Sequence, residues 1–392
     1  MNKNTSDAVM LRVPAPTLNR REWLKTAGTA VAGFTLAASL VPTRAVAQHE
    51  VDRTAKSTEP IHLNSNENPF GPSPLAMAAV MQSMDRMLRY PHAEVEKLAA
   101  GIVTKEGVAA DCVVLGNGSA EVLEKLADYL GAKKGEVVCP TLTFSFFPNC
   151  MKRLGATLVE VPLDANLAND LDAMAAKITP ATTCVYLCNP NNPTGTIVKA
   201  AKLKAFAIEA AKKCPVIIDE AYLDFSDDYA ANTMAGLVKE GHNVIITRTF
   251  SKIYALAGER VGYGLMQPAV AKAAFAGLNL RPGFRLNMLG TVAATASLED
   301  AAFVVETRAK MKTERDKLCA QLKGFGKKYA EAQGNFVYFL PGIPAKEFQE
   351  KMKAENIITG GSYPAMPEWC RITVGLPEEM ALLSAALKKT FA

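Results

Sequence analysis

Short apolar runs recur along the chain from about residue 76, separated by longer helix-like stretches and bounded mostly by Gly, Pro or Asn. Such runs are too short for buried helices and are typical of strands covered on both faces. They lie at residues 113–115, 136–139, 158–161, 183–187, 216–218 and 244–246. They predict an α/β fold whose large domain is a three-layer αβα arrangement around a mostly parallel sheet.

The sequence changes character beyond about residue 290. A long charged helix is predicted at about 299–325, and apolar segments follow at 335–339 and 371–374. This order is typical of a smaller α+β domain. A chain of 392 residues is long enough to bury a large core in two such lobes.

The first 47 residues carry the features of an export signal. Arg20 and Arg21 precede a weakly apolar run at 27–41, and residues 45–47 form a small-x-small cleavage pattern. The order resembles a twin-arginine signal. It predicts cleavage after Ala47, a periplasmic location and the twin-arginine translocation machinery as a partner. A membrane anchor is the alternative, although two glycines make the run a weak spanning helix.

These boundaries divide the chain into four predicted parts. They are a signal peptide at 1–47, an N-terminal arm at 48–75, a large domain at 76–288 and a small C-terminal domain at 289–392.

Charge and cysteine usage exclude some functions. Residues 1–47 hold six basic and two acidic residues, so their removal lowers the formal net charge from +5 to about +1. The remaining chain has no basic excess that would suggest nucleic acid. The eight cysteines form no CxxC pair and the four histidines show no ligand spacing, so no metal site is predicted. The sequence does not decide whether a disulfide forms, because no pair of cysteines stands out.

The segment 249–260 points to the chemistry. Lys252 stands directly behind two hydroxyl residues, Thr249 and Ser251, and Arg260 follows eight positions later. Hydroxyls and a guanidinium suit a phosphate, while the lysine suits an imine with an aldehyde on the same molecule. An imine-forming lysine is typical of pyridoxal phosphate (PLP) enzymes.

Three further features precede this segment in the order that such a site needs. Residues 116–121 form a glycine-containing turn that follows a predicted strand and opens a helix, where backbone N–H groups can bind phosphate. Asp219 closes another predicted strand and can keep a pyridine nitrogen protonated. Tyr222 and Asn192 can hydrogen-bond the phenolic oxygen of the ring. Each alone would sooner be a turn or cap residue, but their combination favours a PLP site.

The whole set resembles fold-type I PLP aminotransferases, and within them the histidinol-phosphate aminotransferase family. The resemblance covers about residues 61–390. The matching motifs lie at residues 63–72, 89–91, 116–121, 143–145, 191–195, 219–222, 251–260, 335–336 and 371–375.

The resemblance implies roles for individual residues around the cofactor. Lys252 would form the Schiff base and carry the proton of the 1,3-transfer, and Asp219 would pair with the pyridine nitrogen. Asn192 and Tyr222 would hold the phenolic oxygen, and Phe144 would stack on the ring. The phosphate ligands would be Tyr90 of the neighbouring subunit, the Ser119 and Ala120 amides, Thr249, Ser251 and Arg260.

The resemblance also implies substrate contacts and an assembly. Arg371 would bind the substrate α-carboxylate as a bidentate fork, and Asn68 belongs to the substrate-side motif of the arm. Because Tyr90 would reach across to another copy, a homodimer with shared active sites is expected.

Several departures from the family pattern concern the substrate. Ala120 stands where the family usually has aspartate, and Gly360 where enzymes acting on histidinol phosphate usually carry arginine. The arm residues 48–60 lack the tyrosine that the family uses near its substrate. Arg285 replaces part of an uncharged turn; it either recognises a second acidic group on the substrate or is a plain surface arginine.

The sequence therefore predicts an exported aminotransferase that exchanges an amino group between an amino acid and a 2-oxo acid by ping-pong chemistry, and whose substrate is not histidinol phosphate. The first alternative is a PLP-dependent lyase, decarboxylase or cyclising enzyme of secondary metabolism. Arg371 favours transamination, because it would retain the α-carboxylate. The second alternative is a non-catalytic binding protein on the same fold.

Overall fold

The computed structural model describes residues 59–276 and 285–391. All of them belong to one compact unit. The predicted signal peptide at 1–47, the predicted arm up to residue 58 and the segment 277–284 lie outside the described residues.

Twelve strands occur in the described part of the chain. They are β1 Ile61–Leu63, β2 Val113–Asn117, β3 Glu136–Pro140, β4 Thr157–Val161, β5 Thr182–Cys188, β6 Val216–Asp219, β7 Val244–Thr249, β8 Val261–Leu265, β9 Lys328–Tyr329, β10 Phe336–Leu340, β11 Ile357–Thr359 and β12 Cys370–Thr373.

Seven of these strands form the main sheet, in the order β2-β8-β7-β6-β5-β3-β4. Strands β4, β3, β5, β6 and β7 pair in parallel. Strand β8 runs antiparallel to both β7 and β2. All six runs predicted as strands are found in this sheet, so the mostly parallel α/β fold is confirmed.

Strand β8 was not predicted, because Gly262 and Gly264 weaken its strand signal. The structure gives a reason for the first glycine. A Cβ on Gly262 would collide with the backbone nitrogen of Ser119. Gly262 therefore lets β8 lie directly against the start of the helix Gly118–Gly131.

Thirteen α-helices surround the sheets in the described part of the chain. They are α1 Pro74–Gln82, α2 His92–Glu106, α3 Gly118–Gly131, α4 Phe146–Arg153, α5 Leu171–Ala176, α6 Ala200–Ala211, α7 Tyr229–Asn232, α8 Ala235–Lys239, α9 Pro268–Phe275, α10 Met288–Glu299, α11 Ala301–Gly324, α12 Ala345–Ala354 and α13 Pro377–Phe391. Helix α11 confirms the charged helix predicted at about 299–325.

The main sheet is covered on both faces, as a three-layer fold requires. Alternate residues of β6 belong to different cores: Val216 and Ile218 to one, and Ile217 to the other. The Ile217 core also contains Leu123 of α3 and Phe147 of α4. Continuous apolar strands are thus explained by burial on both faces.

The C-terminal part forms separate, smaller sheets. Strands β12, β10 and β9 make an antiparallel sheet. Strand β1 of the arm pairs in parallel with β11, with Ile61 opposite Ile357 and Leu63 opposite Thr359. This agrees with a smaller α+β part, whereas its boundary at residue 289 stays a prediction.

No single helix in the described ranges is long and apolar enough to cross a membrane; only the sharply bent pair Met288–Glu299 and Ala301–Gly324 meets the length and composition test. All eight cysteines are free thiols, and all except Cys319 are buried.

Candidate active site

Several of the predicted cofactor residues lie at one edge of the main sheet. Asp219 ends β6, Thr249 ends β7, and α3 begins directly after β2. These three strands run in the same direction, so their carboxyl ends lie at the same edge. This is where ligands bind in open α/β sheets.

One end of the site is a cradle for an anion. Thr249 Oγ1 donates to Ser251 Oγ over 2.9 Å, and Arg260 Nη1 donates to the same oxygen over 3.2 Å. The guanidinium lies so close to Gly118 that a Cβ there would collide with it. The cradle therefore combines two hydroxyls, one cation and the N-terminus of α3, where the first N–H groups lack helical partners.

Ser119 and Ala120 are the second and third residues of α3, so their amides belong to this cradle. A backbone N–H donates a hydrogen bond whatever the side chain of its residue. The change from aspartate to Ala120 therefore leaves the backbone donors in place.

Asp219 lies at the other end of the site and is 1% exposed. Its Oδ1 accepts the Ala221 amide over 3.1 Å, and the Tyr186 hydroxyl lies 3.5 Å from Oδ2. Burial raises the pKa of Asp219 to about 6. A buried carboxylate is stabilised by a cationic donor, and a protonated pyridine nitrogen supplies one.

Lys252 projects between these two ends. Its Nζ donates to the Ser65 and Asn66 carbonyl oxygens over 3.3 and 3.2 Å and lies 5.5 Å from the centre of the Tyr222 ring. Burial, followed by the positive charge of Arg371, lowers the pKa of Lys252 to about 8. A lysine with this pKa offers a neutral amine near neutral pH, as imine formation requires.

A second group of residues extends the site away from the sheet. Arg371 Nη1 donates to Asn192 Oδ1 over 2.7 Å, and Nη2 donates to the Asn64 carbonyl oxygen over 2.6 Å. Asn192 Nδ2 lies 3.5 Å from Tyr222 Oη. The Nε of Arg371 is buried and has no hydrogen-bond partner among the described residues. An arginine carries five N–H donors, so the guanidinium can still donate to an incoming acceptor.

The segment of Phe144 lies beside this group. Thr143 Oγ1 donates to Asn191 Oδ1 over 2.9 Å, and the Phe144 ring stacks with that of Phe146 at 6.2 Å between centres. The structure thus brings the residue before Phe144 to the loop that contains Asn192. Stacking of Phe144 on the cofactor stays a prediction.

Comparisons with known proteins agree with this geometry. The profile of the family described as "Aminotransferase class I and II" matches residues 58–386. The chain belongs to this aminotransferase family. It is a PLP-dependent aminotransferase, and the cradle, the buried carboxyl and the lysine fit that cofactor.

Individual relatives point the same way. The chain is 36% identical over 346 residues to a histidinol-phosphate aminotransferase of Moorella thermoacetica, with 88% of each chain covered. The crystal structure of histidinol-phosphate aminotransferase from Sinorhizobium meliloti in complex with pyridoxal 5'-phosphate has a TM-score of 0.78 and 28% identity, covering 85% of this chain and 91% of that one. An aspartate aminotransferase from Thermus thermophilus shares the fold at a TM-score of 0.73 and 20% identity, covering 88% of this chain and 95% of that one.

Asn66 lies among the site residues of this aminotransferase, although the sequence predicted no role for it. It is 1% exposed and has a backbone φ of 54°. Its Nδ2 donates to Tyr222 Oη over 3.1 Å, and its carbonyl oxygen accepts from Lys252 and from Asn335 Nδ2, the latter over 3.0 Å. Its place in the motif at 63–72 was the available signal, but a contact over 156 positions is not visible in sequence.

Asn68 of the aminotransferase arm is also buried, at 8% exposure. Its Nδ2 donates to the Ile253 carbonyl oxygen over 2.8 Å, and its Oδ1 accepts the Phe70 amide over 3.1 Å. Asn68 thus ties the arm to the residue after Lys252. A contact with substrate stays a prediction.

Arg285 is not the plain surface arginine that was one of its two expected roles, since its side chain is only 10% exposed. Its Nη1 lies 3.3 Å from Glu121 Oε1 and its Nη2 donates to the Leu115 carbonyl oxygen over 2.7 Å. It therefore balances a carboxylate in the first turn of α3, beside the anion cradle. Recognition of a second acidic group stays a prediction.

Gly360 lies against the aminotransferase's Arg371. Its amide donates to the Arg371 carbonyl oxygen over 2.9 Å, and a Cβ at this position would lie 2.7 Å from that oxygen and 3.4 Å from Nε. No side chain fits here without a shift of the backbone.

Tyr90 is 66% exposed on the surface of the chain. Its predicted contact is with another copy, so the role of phosphate ligand stays a prediction. Among the residues that the structure covers, no group of three or more His, Cys, Asp or Glu side chains could hold a metal ion.

Proposed function

We propose that this aminotransferase moves an amino group between an amino acid and a 2-oxo acid by ping-pong chemistry, and that histidinol phosphate is not its substrate. The observation that carries the proposal is the position of Arg371. Its guanidinium lies beside Asn192, and its charge adds to burial in lowering the pKa of Lys252.

Arg371 binds the substrate α-carboxylate in this proposal. Its planar donors match the two oxygens of a carboxylate. Asn192 and the Asn64 carbonyl oxygen hold the guanidinium from the other side. The fixed arginine orients the α-carbon toward Lys252.

Lys252 is the catalytic base. Bound PLP supplies an electron-accepting ring that stabilises negative charge at the substrate α-carbon. Lys252 Nζ removes the proton from the substrate α-carbon and carries it through the 1,3-transfer. An amine with a pKa of about 8 can act as this general base near neutral pH.

The remaining residues hold the cofactor. Thr249, Ser251, Arg260 and the start of α3 bind its phosphate, and Phe144 covers the ring. Asp219 keeps the pyridine nitrogen protonated, while Tyr222 and Asn192 hydrogen-bond the phenolic oxygen.

The case against histidinol phosphate rests on Gly360. The family's arginine at this place would supply a cation for the substrate phosphate, and this chain has no side chain there. A Cβ would already crowd the Arg371 carbonyl oxygen at 2.7 Å. The crowded backbone supports a substrate without a phosphate at this end, although curated relatives carry the histidinol-phosphate name.

We also propose a homodimer with shared active sites. Aminotransferases of this family are generally dimeric, and the segment before Tyr90 presents an apolar surface that a second copy would cover. The exposed apolar side chains of this segment are Leu75, Met77, Met81, Met84, Met87 and Leu88.

Export to the periplasm by the twin-arginine route is a further part of the proposal. It rests on Arg20, Arg21 and the cleavage pattern at 45–47. The route carries folded proteins, so the cofactor is bound before export. Folding first also shields the seven buried thiols from an oxidising compartment.

The absorption spectrum of the purified protein tests the reaction. Single amino acids, beginning with glutamate, aspartate, arginine and aromatic donors, should shift the visible band to the near-ultraviolet, and a 2-oxo acid should restore it. Recovery without any oxo acid would replace transamination by a lyase or decarboxylase reaction. Histidinol phosphate serves as the comparison substrate, and its rapid turnover would contradict the substrate proposal.

A further inference from the structure

The hydroxyl of Tyr222 lies between two asparagine amides. Asn66 Nδ2 lies 3.1 Å from Tyr222 Oη, and Asn192 Nδ2 lies 3.5 Å from it. All three side chains are buried. The direction of each hydrogen bond therefore decides where the phenol proton points.

Thr373 fixes the orientation of the Asn66 amide. The Asn66 backbone N–H donates to Thr373 Oγ1 over 3.0 Å, so this oxygen acts as an acceptor there. The Thr373 hydroxyl then donates its own proton to Asn66 Oδ1 over 3.1 Å. The Thr373 hydroxyl is buried and has no other acceptor for its single proton among the described residues. Its proton is therefore used only when Oδ1 faces Thr373 and Nδ2 faces Tyr222.

Arg371 fixes the Asn192 amide in the same way. An arginine nitrogen can only donate, and Arg371 Nη1 lies 2.7 Å from Asn192 Oδ1. The amide nitrogen of Asn192 is left facing Tyr222. Both amides therefore donate to the phenol oxygen, and neither can accept its proton.

We propose that Asn66 is a positioning residue that directs the Tyr222 proton toward the phenolic oxygen of the bound cofactor. The inference rests on the proposed role of Tyr222. By donating to Oη, Asn66 blocks the phenol proton from pointing to the arm and makes the phenol a stronger donor on its open side. The charged groups around Tyr222 are Arg371, Lys252 and Asp219, and the variants below leave all three in place.

The Asn66 amide can be removed without straining its backbone. With φ at 54°, Asn66 occupies the left-handed region that glycine adopts freely. Asn66→Gly deletes the amide and keeps this conformation, whereas alanine would add backbone strain. Two variants of Thr373 test the same point independently. Thr373→Val frees the Asn66 amide to rotate, and Thr373→Ser keeps the hydroxyl that fixes the amide.

The experiment is a pH titration of the visible absorption of the PLP-loaded enzyme. A weaker hydrogen bond to the phenolic oxygen leaves more negative charge beside the lysine–cofactor linkage, so the linkage holds its proton to higher pH. Tyr222→Phe should move the midpoint upward by about one pH unit or more, and Asn66→Gly by about half a unit. Thr373→Val should follow Asn66→Gly, and Thr373→Ser should match the wild type.

The double variant separates the inference from simple loss of packing. Once Tyr222→Phe has removed the hydroxyl, Asn66→Gly should cause no further shift, because its effect passes through that hydroxyl. Equal midpoints for Asn66→Gly and wild type, while Tyr222→Phe is shifted, would overturn the inference alone. An unshifted Tyr222→Phe would instead overturn the proposed role of Tyr222, and the inference with it.

Discussion

The cofactor side and the proposed substrate side of the site are built in different ways. The cofactor side uses residues at the ends of neighbouring strands, such as Asp219 on β6 and Thr249 on β7. The substrate side joins the arm to the C-terminal part, as in the contact of Arg371 with the Asn64 carbonyl oxygen over 307 positions. The first depends on local motifs within one sheet, whereas the second depends on the docking of distant segments.

Cofactor binding and substrate affinity should therefore respond to different mutations. Changes in the sheet-edge residues should affect both cofactor binding and turnover. Changes in the arm and C-terminal contacts should affect substrate affinity and leave the cofactor bound.

Lys252→Ala should have the largest effect, because this residue serves both sides. Loss of the base should reduce turnover by at least about 10⁴-fold. The measurement is single-turnover kinetics together with the visible spectrum. Lys310→Ala, on a half-exposed lysine in a surface ion pair with Glu306, is the matched control, and turnover retained in Lys252→Ala would refute the assignment.

Asp219→Asn should reduce turnover by about 10²- to 10⁴-fold and weaken cofactor binding, measured by kinetics and PLP titration. The same substitution should increase the stability of the apoprotein. Because burial raises the pKa of Asp219 to about 6, the carboxyl favours folding at low pH and loses this contribution as pH rises from about 4 to 6.

The Asp219→Asn apoprotein should therefore be more stable than wild type at pH 8, by on the order of 3 kcal/mol. The difference should vanish below about pH 4, as urea unfolding at both pH values would show. A less stable variant at pH 8 would contradict the buried-carboxylate argument.

Arg371→Lys should affect the substrate side alone. Losing the planar fork should lower kcat/KM by about 10²-fold, mainly through KM. The affinity for PLP and the visible band should change little. If this variant loses its cofactor, the two sides are not separable as described.

The pH dependence of PLP loading probes Lys252 without mutation. Since burial and Arg371 lower the pKa of Lys252 to about 8, the neutral amine becomes dominant above that pH. The rate at which apoprotein develops the visible band should rise about tenfold from pH 7 and level off above pH 8 to 9. Stopped-flow mixing measures it, and a rise that continues to pH 10 would show an ordinary lysine.

Gly360→Ala should have the smallest effect. The added Cβ would lie 2.7 Å from the Arg371 carbonyl oxygen, so the backbone after β11 must shift. KM should rise about three- to tenfold with an unchanged kcat, measured by steady-state kinetics. Gly361→Ala is the control, because its nearest neighbouring atom lies at 3.7 Å.

The sequence was sufficient for six of the seven strands of the main sheet. Apolar runs predicted six strands because burial on both faces leaves few polar positions. Strand β8 was missed because Gly262, one of its two glycines, is required by a close contact with Ser119, which sequence does not display.

Two contacts around the site were not predicted, for a related reason. Arg285 carries an ion pair with Glu121 across 164 positions, and Asn66 meets Tyr222 across 156. Neither pair has a local pattern, since the partners come together only when separate segments dock. Arg371 was found because it lies in a recognisable motif.

The parallel pairing of β1 with β11 has a consequence for protein engineering. It aligns residues 61–63 with 357–359, immediately before Asn64 and Gly360. We therefore expect the segments 61–68 and 357–375 to act together in substrate selection. A chimaera that exchanges 357–375 for the segment of a relative needs that relative's 61–68 as well, and a graft of either half alone would misplace the other.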